Sequence, residues 1–356
     1  MPLPMSKEVG NSPNTAPTKR GGRVFAKYET RAEWLALRSR GIGGSEIGTV
    51  LGVNPWKSAN QLFFEKLGLF QEEGAGNMRM FMGNFMESHI AELWRFWDGD
   101  EASLIANYAE RKPVRKCSYS NSTMWLADTP YLIANIDRRI DSVPGKIGRG
   151  VLECKTINGF YSQQWAAGVP PSYLYQIQQY MLVTGYQYAE LALLKDGNSL
   201  QVIQFDADQN AQQVIREGAE IFWNRIENAR KFALQYLQEE EKPNPDRSAL
   251  ADYMRMVEQY EPKPDGSPAY EEFMRKRFLA NGGEMKTATA QDIRLAKQYA
   301  EINAQKKVLE ESRQEVANEL MRRIGDGDGI DMGDLGKVTW KANDKGVRVL
   351  RVATKV

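Results

Sequence analysis

The sequence predicts an α/β fold: a mixed central sheet flanked by helices, then a helical C-terminal extension ending in a small β-hairpin. Three observations carry this. Apolar and polar residues alternate in strand-like runs at 113–119, 131–140 and 150–156, with helical-period segments on both sides of them. A further strand pair at 188–206 is broken by Asp196-Gly197-Asn198, a hairpin turn. Beyond residue 284 the pattern is that of one long helix, then two short strand-like runs.

Residues 1–27 open with a stretch rich in Pro, Gly, Asn and Thr and read as a disordered tail. The main domain then spans 28–238. A helix over Arg31–Ser39 is broken by Gly41-Ile42-Gly43-Gly44, and Ser45 caps a short second helix, Glu46–Leu51. Residues 58–68 are helical and stop at Gly68. A stronger helix covers 80–97, where Met82, Met86, Ile90, Leu93 and Trp97 follow the helical period. Pro144-Gly145 marks a turn between the strands at 131–140 and 150–156, so a hairpin there brings Asp137 near Glu153. Helices at 172–186 and about 208–238 enclose the hairpin 188–206. Residues 239–283, charged and with five prolines, read as a linker with a short helix. The extension 284–356 is a helix from Thr289 to Ile324 and a small hairpin. Thr289 and Asp292 resemble a capping box with Asp in place of Glu or Gln. Ile302, Leu309 and Val316 recur every seven residues, as in a coiled-coil seam.

Composition narrows the chemistry. The formal net charge of the 356 residues is +1, so a nucleic-acid site would have to be a local patch. Two cysteines, Cys117 and Cys154, make neither a disulfide framework nor a metal cluster, which suits a reducing cytoplasm. No apolar run approaches a membrane span, and the N-terminus lacks the apolar core of a signal peptide. The only histidine, His89, excludes a multi-histidine zinc site within one chain. Carboxylates, lysine or an oxygen-bound metal are left to do any catalysis.

The stretch Gly150-Val-Leu-Glu-Cys-Lys-Thr156 holds the informative pattern. On a strand Glu153 and Lys155 project from one face, Leu152 and Cys154 from the other. Glu-x-Lys also occurs at Glu240–Lys242 and Glu284–Lys286 in polar segments, so the triplet alone decides nothing. Two readings stand at this point. Asp137 and Glu153 are strand-edge carboxylates paired with Arg138, Arg139 or Lys155, or they share a divalent cation. Mg²⁺ prefers oxygen ligands and needs few carboxylates. Beside it, a lysine can orient water or stabilise developing charge in phosphodiester hydrolysis.

The flanking sequence adds a specific resemblance. Tyr131-Leu-Ile-Ala-Asn-Ile-Asp137-Arg-Arg-Ile140, followed by Gly150–Thr156, resembles the core of the PD-(D/E)XK nuclease superfamily, and Gln176 and Tyr180 repeat the Q-x-x-x-Y helix of its RecB-type and lambda-exonuclease-type members. Residues 37–52, LRSRGIGGSEIGTVLG, resemble the opening motif of YqaJ-type viral recombinases, and 82–94 their G-x-x-x-E helix. The motifs stand in the family's order across about 31–230.

The resemblance implies a restriction-endonuclease-like fold and a set of roles. Asp137 and Glu153 would be metal ligands, with the main-chain carbonyl of Cys154 a third. Lys155 would position or activate the attacking water. Glu87 matches a carboxylate near the metals, and Gln176 and Tyr180 would support the site wall or touch the nucleic-acid backbone. Arg38 and Ser45 would hold a 5′-terminal phosphate, a role for which Arg40 competes and for which forked donors suit Arg. A further family Asp has only Asp128 as its counterpart by spacing, and Ile136 replaces a proline. The implied activity is Mg²⁺-dependent hydrolysis of duplex DNA ends, with Mn²⁺ a substitute, from the 5′ side. The implied partners are a single-strand annealing protein and further copies in a homo-oligomer such as a trimer, in a bacterial host's cytoplasm. A nicking or structure-specific endonuclease and a non-catalytic DNA- or protein-binding module are the alternatives. His89 reads as structural, and Gly325–Asp334 is no EF-hand, because Lys337 stands where the bidentate Glu is needed.

Overall fold

The computed structural model describes residues 17–71, 78–158, 165, 168–279, 283 and 285–354. The chain divides into two compact units, 1–279 and 280–356.

The first unit holds two five-stranded sheets. One comprises β1 (Thr18–Arg20), β2 (Arg23–Lys27), β3 (Ile42–Gly43), β5 (Ser122–Leu126) and β6 (Leu132–Ala134), in the order β1-β2-β5-β6-β3. The other comprises β4 (Lys116–Tyr119), β7 (Arg138–Ser142), β8 (Gly150–Ile157), β9 (Tyr188–Lys195) and β10 (Ser199–Asp206), in the order β10-β9-β8-β7-β4. The run expected as one strand over 131–140 is therefore two strands in different sheets, with Asn135, Ile136 and Asp137 between them. Residues 18–27, expected in a disordered tail, form a hairpin instead. Val24 and Ala26 are buried on it, and β2 pairs with β5. Residues 1–16 of that expected tail lie outside the described residues. Short polar-flanked β5 was not anticipated, although Thr123, Met124 and Leu126 are buried.

Among the described residues the first unit's helices are α1 (Arg31–Arg38), α2 (Gly44–Val50), α3 (Ala59–Lys66), α4 (Met78–Trp94), α5 (Glu101–Ala109), α6 (Pro171–Thr184), α7 (Gln209–Glu240), α8 (Arg247–Glu258) and α9 (Pro268–Arg277). Helix α6 touches β5 and β6 of one sheet and β8 and β9 of the other. All nine residues from Gln176 to Thr184 are buried, as for a helix enclosed on every side. Its polar members are bonded there in part, with Gln179 Oε1 left unpartnered. Gln179 Nε2 donates to Ile42 O (2.8 Å) and Ile133 O (2.9 Å), tying β3 and β6 to the helix. Gly185 ends α6 with φ +76°, a left-handed cap that glycine adopts without Cβ strain.

Helix α4 buries only part of its expected apolar face. Ile90, Ala91 and Trp94 are buried near β8 and β9, whereas Met78, Met80, Phe81, Met82 and Phe85 are exposed. Residues 239–279 are no linker. Helices α8 and α9 pack on the first unit through Val257 and Phe273, both buried, the latter against the rings of Phe64 and Phe70. Asn60 Nδ2 donates to Glu261 Oε1 (2.9 Å) and Pro262 O (2.6 Å), fixing the connection between them.

In the second unit, α10 (Ala290–Ile324) begins with the capping box read from the sequence: Asp292 N donates to Thr289 Oγ1 (3.3 Å) and Thr289 N to Asp292 Oδ2 (2.8 Å). Ile302, Leu309 and Val316 are exposed along it. The expected terminal hairpin gains a strand: β11 (Gly329–Asp331) pairs with β12 (Gly336–Ala342), which pairs with β13 (Arg348–Thr354). Among the described residues no helix is long and apolar enough to cross a membrane.

Candidate active site

The break between β6 and β7 and the central position of β8 build the site. β7 pairs antiparallel with β8 in the register Arg138↔Leu152, so Asp137, one residue before it, faces Glu153. Cys154 N donates to Asp137 Oδ2 (2.8 Å) and holds that carboxylate at the strand end. A strand residue's N–H and C=O point to the same edge, so the Cys154 carbonyl also points towards Asp137. The alternation of β8 is as the sequence requires. Leu152 and Cys154 join an apolar cluster with Ile90 and Trp94 of α4, while Val151 joins the cluster containing Ile177 and Tyr180 of α6. Glu153 and Lys155 therefore face α6.

Glu153 is 1% exposed. Its Oε1 meets Lys155 Nζ at 2.5 Å and accepts from Gln176 Nε2 at 2.6 Å. Gln176 Nε2 also donates to Tyr180 OH (3.1 Å), so the i and i+4 residues of α6 are joined beside the carboxylate. Glu153 Oε2 is buried and accepts no hydrogen bond from the described residues. An unpartnered buried carboxylate oxygen is costly unless something else binds it.

Electrostatics sharpen the picture. Burial and the neighbouring Glu153 carboxylate push Asp137 up from an ordinary aspartate to about 7, against the pull of Lys155 and the Cys154 N–H. Burial alone would lower Lys155, but Glu153 and Asp137 overcome it and hold the amine above the usual lysine range. Lys155 thus stays an ammonium, a donor rather than a proton acceptor. Burial and the same two carboxylates raise the Tyr180 phenol, so it also stays protonated. Burial raises the Cys154 thiol, again reinforced by Asp137. The main chain of Cys154, and not its sulfur, is what the site offers.

Glu87 stands near this group but is engaged elsewhere. Arg138 Nη1 lies 2.6 Å from its Oε1, and burial and Asp137 raise its pKa against that arginine. Among the described residues no three His, Cys, Asp or Glu side chains stand together as a metal set. The donors nevertheless fit a hard cation. Two adjacent carboxylates, one with a buried unpartnered oxygen and one raised by its neighbour, are the oxygen ligands Mg²⁺ accepts, and that ion keeps several waters of its own.

Arg38 and Ser45 meet: Arg38 Nη2 donates to Ser45 Oγ at 2.7 Å. The residue before Ser45, Gly44, lies against the Tyr180 ring. A Cβ on Gly44 would lie 2.3 Å from Tyr180 Cε1, so only glycine lets α2 approach that ring. Arg40 goes elsewhere, lining a groove of about 340 Å³ with Trp125, Tyr131 and Trp223. Asp128 is exposed, accepting from Thr129 Oγ1 (3.2 Å), and is not part of the carboxylate group. His89 is exposed on α4, its Nδ1 3.1 Å from Phe85 O. The basic pairs at 111–116 and 138–139 are largely neutralised: Lys112 by Glu110, Arg115 by Glu190, Arg138 by Glu87 and Arg139 by Asp141. Sequence reasoning missed Glu46 and Lys66, which adjoin Arg38. For Glu46 the Gly43-x-x-Glu46 spacing was a readable capping signal. For Lys66, on another helix, there was none.

Comparison with known proteins agrees with the motif reading. Residues 33–187 match the YqaJ-like viral recombinase domain. The protein YqaJ of Bacillus subtilis (strain 168) is 25% identical over 331 residues, 91% of this chain and 88% of that protein. Among solved structures, the alkaline exonuclease LHK-Exo of Laribacter hongkongensis aligns over 58% of this chain and 97% of its own, with 19% identity and a TM-score of 0.41. A phage-related exonuclease from Haemophilus somnus 129PT aligns over 56% and 96%, with 12% identity and a TM-score of 0.33. Residues 33–187 are thus similar in sequence to the YqaJ-like viral recombinase domain, as the motifs at 37–52 and 82–94 suggest.

Proposed function

We propose that the chain is a phage-type, Mg²⁺-dependent exonuclease that hydrolyses duplex DNA from its ends in the 5′ to 3′ direction and serves single-strand-annealing recombination. The observation that carries this reading is the Asp137–Glu153–Lys155 group, with Glu153 Oε2 buried and unpartnered. The viral recombinase domain match over 33–187 supports the biological setting.

Asp137, Glu153 and the Cys154 carbonyl would hold Mg²⁺, or Mn²⁺ in its place. When bound, the ion supplies polarisation of the phosphoryl oxygen and acidification of a water. The chain's own groups do the rest. Gln176 and Lys155 bind Glu153 Oε1 and so direct the other oxygen into the site. The Lys155 ammonium stabilises negative charge developing on the phosphate. Tyr180 keeps its proton and holds Gln176 in place. Arg38 and Ser45 receive the 5′-terminal phosphate, which sets the strand that is cut. Glu87 orients Arg138 through Oε1 in this structure. An annealing protein that takes the 3′ strand, and further copies in a ring such as a trimer, complete the assembly in a bacterial cytoplasm.

Polarity is tested with one duplex labelled in turn at its 5′ and 3′ ends. The expected result is early release of the 5′ label as a mononucleotide with the 3′ label retained in shortening strands. Early release of the 3′ label reverses the polarity. Binding without release of either label favours the non-catalytic module.

A further inference from the structure

Arg38 is held from three sides. Its guanidinium lies over the Trp34 ring (5.1 Å to the centroid), donates to Ser45 Oγ (2.7 Å), and has its Nε 3.8 Å from Glu46 Oε1. Glu46 is in turn anchored on its other oxygen. Oε2 accepts from Gly43 N (2.7 Å) and meets Lys66 Nζ at 2.9 Å. Lys66 Nζ also lies 3.4 Å from Arg38 O. Three helices are thus tied at one point: α1 by Arg38, α2 by Glu46 and α3 by Lys66.

The distances decide how charge is shared. Glu46 is spent mainly on Lys66 and the Gly43 N–H, and stands at 3.8 Å from Arg38. The Lys66 side chain is only 6% exposed, so it serves Glu46 and not an incoming strand, whereas the Arg38 side chain is 31% exposed. Two cations against one carboxylate leave one positive charge, on the exposed Arg38. A guanidinium already held in place loses less side-chain entropy on binding than a free one.

We infer that Glu46 is a positioning residue for the 5′-phosphate site, holding Arg38 against Ser45 and so setting the preference for a phosphorylated over a hydroxyl 5′ end, with Lys66 as its buried counter-charge. This rests on the reading that Arg38 and Ser45 receive the terminal phosphate. A merely structural Glu46 would affect stability without altering end preference.

The test is steady-state digestion of one linear duplex with 5′-phosphate or 5′-hydroxyl ends. It uses the full chain, Arg38→Ala, Glu46→Gln, Glu46→Asp and the double variant Glu46→Gln/Lys66→Met. The double variant removes the buried unpaired lysine that Glu46→Gln alone would leave. Thermal melts check folding of each. The expected result is a rise of about tenfold in KM for phosphorylated ends in the double variant, towards the hydroxyl value, the scale of one charge-assisted hydrogen bond. The effect falls on KM rather than kcat, and Glu46→Asp recovers part of it. A folded double variant that keeps the parent's end preference, while Arg38→Ala loses it, overturns the role of Glu46 and leaves the phosphate site standing. A parent without end preference, or one whose preference survives Arg38→Ala, overturns both.

Discussion

Asp137→Asn and Glu153→Gln each lower metal-dependent hydrolysis of linear duplex DNA by roughly 10²–10³ or more, the scale of losing a preorganised charged group. The same Asp137→Asn raises the thermal midpoint of the metal-free protein at neutral pH. The sign follows from Asp137 being at about 7 in the fold against an ordinary 3.8. Between those values the folded state binds more protons than the unfolded one, so stability falls as pH rises through that window. The contribution is fully present below about 3.8 and lost above about 7. Asparagine has no charge to bury, and its Oδ1 can still accept from Cys154 N. The gain is on the order of 4 kcal/mol at pH 8 and fades towards pH 4. Mg²⁺ should stabilise the parent at pH 8 and leave the variant unmoved. Melting curves of both proteins at pH 5 and 8, with and without Mg²⁺, check this. Coincident curves at pH 8 without metal would contradict a strained carboxylate pair.

Arg115→Ala destabilises the fold by about 3–5 kcal/mol, because it strands a buried carboxylate. Glu190 lies buried on β9, where its Oε2 accepts from Trp94 Nε1 (2.7 Å) and from Arg115 Nη1. The guanidinium also lies over the Trp94 ring (5.4 Å) and donates from Nε to Trp97 O (2.7 Å). The double variant Arg115→Met/Glu190→Gln recovers most of the loss, since the amide can still accept from Trp94. Urea unfolding of the single and double variants measures both. A cost below about 1 kcal/mol for Arg115→Ala is the value for a solvated pair and would contradict the buried network.

The site was more legible than the sheets around it. Strand alternation placed Glu153 and Lys155 on one face, the Pro144-Gly145 turn placed Asp137 opposite, and i,i+4 spacing placed Gln176 with Tyr180. These are local rules, and β7, β8 and α6 obey them. The sheet count was not local. Alternation continues through 131–140, so no residue type announces that the chain leaves one sheet at Ala134 and enters another at Arg138. The hairpin at 18–27 was hidden by a Pro- and Gly-rich lead, and its second strand is held by pairing with β5, about 100 residues away. Prolines likewise disguised residues 239–279, where Phe273 finds its partners Phe64 and Phe70 far upstream. On α4 the helical period was right, yet helical period alone does not say how far a sheet extends beneath the helix. Glu87 follows its motif in position, but Arg138, next to the catalytic candidate in sequence, takes its carboxylate.

The most direct measurement follows 5′-phosphorylated linear duplex and covalently closed circular DNA side by side with the purified chain and Mg²⁺, with EDTA and Glu153→Gln as controls. Progressive loss of the linear DNA alone, absent in both controls, is the predicted result. Cleavage of the circle would make the chain an endonuclease. Hydrolysis that persists in Glu153→Gln or in EDTA would contradict the assignment of the reaction to Asp137, Glu153 and Lys155.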